Sequence, residues 1–179
     1  MKPVADKFIG SLLSLALLVG AAGCAGDGQV GGIDSGVSLH RPSKIEILPF
    51  TRVTSFDKDQ IPDGVEVVLR LIDPLGDAMK AYGRYHFELF EYRKASAHRQ
   101  GERQLFWQTD VNSVASQRRL WDRITRTYQF QLGWDRPLVP NRKYLLQVTF
   151  LGQGQKRLYA EHLLDFRLPT EHIRELWQR

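Results

Sequence analysis

One cysteine, Cys24, stands in the 179 residues. No disulfide can therefore close within the chain, and the fold has to be held by apolar burial. Long apolar runs are equally scarce. After Val19 none approaches the roughly 20 residues that a membrane helix needs, and no convincing long helical pattern appears either. Neither sign of charge dominates: 25 Lys and Arg stand against 20 Asp and Glu, a formal net charge of +5. That surplus is spread along the chain and forms no dense basic footprint, which argues against nucleic acid as a partner. Local signatures of catalysis are missing as well. No serine sits in a Gly-x-Ser-x-Gly elbow. Gly152-Gln153-Gly154 falls between two expected strands, so no helix N-terminus completes a phosphate loop there. These absences leave a non-enzymatic protein without a cofactor as the expectation.

What is present begins with an address. Lys2 and Lys7 precede an apolar segment from Phe8 to Val19, and the small residues Gly20-Ala21-Ala22-Gly23 lead directly into Cys24. A basic head, a short apolar middle and a small-residue end are the layout of a secretory signal. Ala21-Ala22-Gly23-Cys24 resembles the lipobox of bacterial lipoproteins, with Ala21 where the usual box carries Leu. The resemblance implies cleavage between Gly23 and Cys24, followed by lipidation of the Cys24 sulfur. Two or three acyl chains then hold a protein firmly, where one holds it marginally. Ala25 stands where an inner-membrane lipoprotein often carries Asp, which points to the outer membrane. The alternative is a plain secretory signal that leaves Cys24 as a free thiol.

Residues 24–42 read as a tether, since Gly26, Gly28, Gly31, Gly32 and Gly36 are mixed with polar residues and little that is apolar. From Lys44 the pattern changes to period two. Ile45 and Ile47 alternate with Lys44 and Glu46, and Phe50 to Asp63 reads as connecting chain. Val65, Val67, Leu69 and Leu71 then share a face, as do Tyr85, Phe87 and Leu89 in the stretch Tyr82 to Tyr92. Arg93 to Gln104 is polar and reads as a long hairpin loop before a short strand, Leu105 to Thr109. Asp110 to Arg119 leaves room for a helical turn after Asn112 or Ser113. Ile124 to Leu132 alternates clearly, with Tyr128, Phe130 and Leu132 on one side and Thr125, Thr127, Gln129 and Gln131 on the other. Tyr144, Leu146, Val148 and Phe150 alternate next, followed by a tight connection to Leu158–Leu168. About seven strands with Pro and Gly turns between them predict an all-β, two-sheet antiparallel sandwich over 43–168. After Pro169, Thr170 caps a predicted short helix at 169–179, with Ile173, Leu176 and Trp177 on one face.

The run from Asp63 to Asp73, with Gly76-Asp77 after it, resembles the opening strands of immunoglobulin-like domains in bacterial surface proteins. So does Pro140-Asn141-Arg142-Lys143-Tyr144-Leu145-Leu146-Gln147-Val148, in which Tyr144 matches a tyrosine-corner position. The whole is similar to envelope lipoproteins that place one such sandwich behind a lipobox. This resemblance implies an architecture and brings no activity with it.

Candidate sites are few. His162 and Asp165 are three apart but lie on a predicted strand, where that spacing puts them on opposite faces. His172 and Glu175 share a predicted helix face, yet two ligands do not fill a coordination shell. Asp73, Gly76 and Asp77 miss the calcium-loop spacing and read as turn residues. What remains is a basic, aromatic zone: Arg118, Arg119, Trp121, Arg123 and Arg126, with Arg93, Lys94, Arg99 and Arg103 crowding the loop before it. Arg forks and a Trp face suit an anionic glycan or lipid; otherwise Trp121 packs in the core and the arginines are a solvated rim. The leading expectation is a lipid-anchored envelope protein, in the outer membrane or at the cell surface, whose sandwich binds another envelope protein or serves as an accessory subunit. The alternative is a carrier or sensor that uses the Arg/Trp zone, and a hydrolase stands third.

Overall fold

Where apolar and polar residues alternate, the backbone extends and turns one face inward. The computed structural model describes residues 40–57, 61–134, 138–154 and 156–168. The chain divides into Met1–Asp34 and Ser35–Arg179, and all described residues belong to the second unit. Cys24, the signal segment, the tether before residue 40 and the predicted helix at 169–179 lie outside the described residues.

Seven strands of four or more residues are present among them: β1 (Lys44–Ile47), β3 (Gly64–Ile72), β5 (Gly83–Tyr92), β6 (Gln100–Val111), β8 (Thr127–Gly133), β9 (Arg142–Gly152) and β10 (Leu158–Phe166). Three short ones accompany them, β2 (Arg52–Thr54), β4 (Ala78–Met79) and β7 (Trp121–Asp122), with a single helix, α1 (Val114–Leu120). One antiparallel sheet runs β1-β3-β8-β7, with β2 and β4 also on β3; the other runs β10-β9-β5-β6. If β1, β3, β5, β6, β7, β8, β9 and β10 are lettered A, B, C, C′, D, E, F and G, the sheets are ABED and GFCC′. This is the order of an immunoglobulin-like sandwich.

Register explains the core. Val65, Val67 and Leu69 lie opposite Leu132, Phe130 and Tyr128 in one sheet. Tyr85, Phe87 and Leu89 lie opposite Phe150, Val148 and Leu146 in the other. All twelve are buried, and they interleave across the sandwich: Phe130 has its ring centroid 4.9 Å from both Tyr85 and Phe87. Each such apolar side chain contributes about 1.5–3 kcal/mol on burial, which is how the fold holds without a disulfide. Tyr144 closes the corner into β9, its hydroxyl donating to the Val139 carbonyl at 2.8 Å. That is the tyrosine corner anticipated from its neighbours.

Three readings of the sequence need correction. Within 50–63, taken as connecting chain, β2 pairs with the start of β3. The Thr51 hydroxyl accepts from the Val68 amide at 3.0 Å and donates to the Val68 carbonyl at 3.2 Å, doing for the ladder what a backbone partner would. The loop after β5 is also shorter than expected, because Gln100 to Gln104 belong to β6. A polar edge strand has the composition of a loop, since charges on an edge discourage pairing with other chains. Finally, β8 starts at Thr127; Ile124 sits on the β7–β8 turn, where the Asp122 carboxylate accepts the amides of Ile124 and Thr125.

Helix α1 forms where the sequence left room for it. The Ser113 hydroxyl accepts from the Ser116 amide and the Ser116 hydroxyl from the Ser113 amide, a reciprocal capping box. Seven residues are too few to stay helical unaided, so tertiary contacts have to hold it.

Candidate functional site

Those contacts build a concave surface. In α1 and the residue after it, Val114, Gln117, Arg118 and Trp121 follow the i, i+3, i+4, i+7 spacing of one helix face. They meet the link between β4 and β5, which supplies Lys80, Ala81 and Tyr82, around a cleft of about 450 Å³ that Arg123 completes. A hydrogen-bonded knot fixes the two sides. The Gln117 amide donates to the Ala81 carbonyl at 2.9 Å, the Tyr128 hydroxyl donates to Gln117 Oε1 at 2.8 Å, and the Ala81 amide donates to the Tyr128 hydroxyl at 3.0 Å. Tyr128 is fully buried, and burial raises the pKa of its phenol.

Trp121 belongs partly to the core. Its ring meets Tyr128 edge-on at 5.0 Å between centroids, and Lys80 Nζ lies 5.2 Å from its centroid. The indole is thus held in place by β7 while contributing to the cleft wall.

Of the five residues in the expected Arg/Trp zone, the fold brings three together: Arg118, Trp121 and Arg123. The other two require correction. Arg119, one position on from Arg118 and so about 100° around the helix, lines a separate depression with Glu66, Gln129 and Gln131. Arg126 adopts a left-handed backbone at φ 56° and donates to the Ala78 carbonyl at 2.9 Å, tying the hairpin tip to β4. The loop arginines are not part of the cleft either. Arg93 pairs with Glu91, Arg99 with Glu161 across 62 residues of sequence, and Arg103 with Glu88. Lys80, Tyr82 and Gln117 were missed. No periodicity links residues 80–82 to the helix; only the sheet topology does.

A second surface is a groove of about 790 Å³ on the outer face of the β1-β3-β8-β7 sheet. Its floor includes Val68 and Thr127, both buried although they point away from the core. Leu48, Pro49 and Phe50 form one wall, and Phe50 is 72% exposed. Thr125 also lines the groove, and the next residue back in sequence, Ile124, is 93% exposed. Charges at the groove are matched within the chain: Arg52 to Glu66 at 3.1 Å, and Arg70 to Glu46 at 2.7 Å.

Among the described residues no three His, Cys, Asp or Glu side chains converge. His162 is half-buried, and that burial lowers its pKa; Asp165 is paired with Arg167 at 2.7 Å. Asp73 is a turn residue, its carboxylate accepting the amides of Leu75 and Asp77, with Gly76 at φ 95° between them. On the outer face of the other sheet, Glu161 accepts from Tyr159, Gln147 and Arg99. Burial raises the Glu161 pKa, but these bonds outweigh it and hold the carboxyl below its usual range. Burial and the Glu161 contact push the Tyr159 phenol up to about 12. No family model matches this chain, and no curated protein matches it significantly.

Proposed function

We propose that this protein is a non-enzymatic envelope lipoprotein, anchored through lipid on Cys24, whose sandwich docks against another envelope protein. The Arg/Trp zone aside, what favours a protein partner is the groove beside Phe50 and Ile124. Phe50, 72% exposed, lines the groove together with Val68, and Ile124, 93% exposed, is the sequence neighbour of the groove residue Thr125, while the nearby charges are already paired within the chain. An apolar centre with a neutralised polar rim is the anatomy of a protein interface. Ala21-Ala22-Gly23-Cys24 and Ala25 support an outer-membrane address.

The test has two parts. Mass spectrometry of protein extracted from its native envelope is expected to find Cys24 as the first residue, carrying a diacylglycerol. An unmodified thiol there would sink the anchor. Photocrosslinkers placed at Phe50 and at Ile124 are expected to label one and the same envelope protein, and Phe50→Asp is expected to abolish the label from position 124 with the fold intact. Labelling from a distant control position such as Arg167 at equal yield would refute the groove as the docking surface.

A further inference from the structure

Lys80, Arg118 and Arg123 line the α1 cleft. Nine ion pairs occur among the described residues, and Lys80, Arg118 and Arg123 take part in none of them. Among the described residues no carboxylate lines the cleft. The nearest in sequence, Asp122, is committed to the β7–β8 hairpin: one oxygen accepts the Ile124 and Thr125 amides and the other accepts from Gln129. Three cations therefore share a concave surface whose positive charge no described acid cancels. The field of such a cleft is focused by its low-dielectric wall.

The rest of the lining limits what the anion is attached to. Trp121 is fixed by Tyr128 and supplies a flat apolar wall. Gln117 uses one amide proton on Ala81 and its oxygen on Tyr128, so its second amide proton remains for a ligand. Tyr82 is 47% exposed beside it. Two guanidinium forks and an ammonium match the charge and the oxygen geometry of a phosphate better than those of a single carboxylate. An aromatic wall next to hydroxyl and amide donors matches the mixed C–H and hydroxyl surface of a polyol. About 450 Å³ lies within the range of small-ligand sites.

We infer that this cleft binds a phosphorylated polyol, with the phosphate at Lys80, Arg118 and Arg123 and the carbon skeleton against Trp121. A soluble sugar phosphate and the glycerol phosphate of a lipid headgroup share that chemistry.

Calorimetric titration of the purified full-length chain at low salt tests it, with glucose 1-phosphate, glycerophosphoglycerol (the deacylated headgroup), inorganic phosphate and glucose as probes. At least one of the two phosphorylated polyols is expected to bind, more tightly than inorganic phosphate, with glucose silent. A preference for glucose 1-phosphate identifies a soluble sugar as the source, and a preference for glycerophosphoglycerol a headgroup. Arg118→Ala/Arg123→Ala is expected to weaken binding by about tenfold per lost charge-assisted bond. Lys80→Met is expected to weaken it by a smaller factor. Trp121→Phe, which keeps a ring on Tyr128, is expected to reduce the advantage of the polyol phosphates over inorganic phosphate. The inference is overturned if neither phosphorylated polyol binds below about 10 mM, if glucose binds as well as its phosphate, or if the double arginine variant, folded by circular dichroism, binds unchanged. Loss of the groove crosslinks would leave these outcomes untouched.

Discussion

Removing the same atom from two neighbouring tyrosines is expected to move stability in opposite directions. Tyr85 and Tyr128 are both fully buried, with ring centroids 5.6 Å apart. The Tyr128 hydroxyl accepts from the Ala81 amide and donates to Gln117, so it ties α1 to the β4–β5 link. The Tyr85 hydroxyl is buried without a well-formed hydrogen bond; its polar neighbour is the Tyr128 hydroxyl, whose proton already goes to Gln117. Burial first, with that neighbour second, holds the Tyr85 pKa well above the ordinary value. In Tyr128→Phe, two part-buried groups lose their partner, at about 1–3 kcal/mol in total. In Tyr85→Phe, a desolvated hydroxyl is deleted and a ring of nearly the same shape remains, so the change runs from neutral to about 2 kcal/mol stabilising. For a domain of this size each kcal/mol is worth about 3–5 °C in Tm. Urea unfolding of the two variants alongside the parent, with calorimetric Tm as a second reading, measures both. Equal destabilisation of the two variants would refute the reasoning, because it would mean that the Tyr85 hydroxyl is satisfied in the fold.

Gly83→Ala is expected to cost about 1–3 kcal/mol by overpacking, since its Cβ would lie 2.5 Å from Phe150 Cε2 and 2.7 Å from the Leu151 carbonyl oxygen; an unchanged urea midpoint would contradict it. Arg126→Ala is expected to lower stability by about 0.5–1.5 kcal/mol through the lost bond to Ala78 while leaving phosphate-polyol binding unchanged in the same titration. Acid should weaken the fold. The carboxyls of Glu46, Asp110, Asp122 and Asp165 are held below their ordinary pKa, by Arg70, Arg84, the Thr125 and Ile124 amides, and Arg167 respectively. A depressed folded-state pKa gives stability that is complete above the unfolded value, about 4, and is lost as pH falls through the folded values. Urea midpoints should accordingly be level above about pH 7, decline slightly below the ordinary imidazole value of about 6.5 because buried His162 resists protonation, and fall further below about 4; a rise on acidification would contradict these pairings.

The parts of this protein legible in the sequence are those written in short-range pattern. Alternation placed Tyr85, Phe87 and Leu89, and likewise Tyr128, Phe130 and Leu132, on buried faces, because a strand has period two whatever it pairs with. Room for a helix after Ser113 and the corner at Tyr144 rest on local hydrogen bonds. Where local composition and long-range pairing disagreed, the sequence misled. Gln100 to Gln104 look like a loop and are strand only because β5 lies beside them. Arg118, Arg119 and Arg126 look alike in a list of residues, yet one faces a cleft, one faces away from it and one holds a hairpin to Ala78. Lys80 joins Trp121 from 41 residues away only because Tyr128 and Gln117 fasten the two segments at Ala81. Pattern along the chain determines which way a side chain points. What it meets there depends on which strands become neighbours, and that was decided by burial of the whole core.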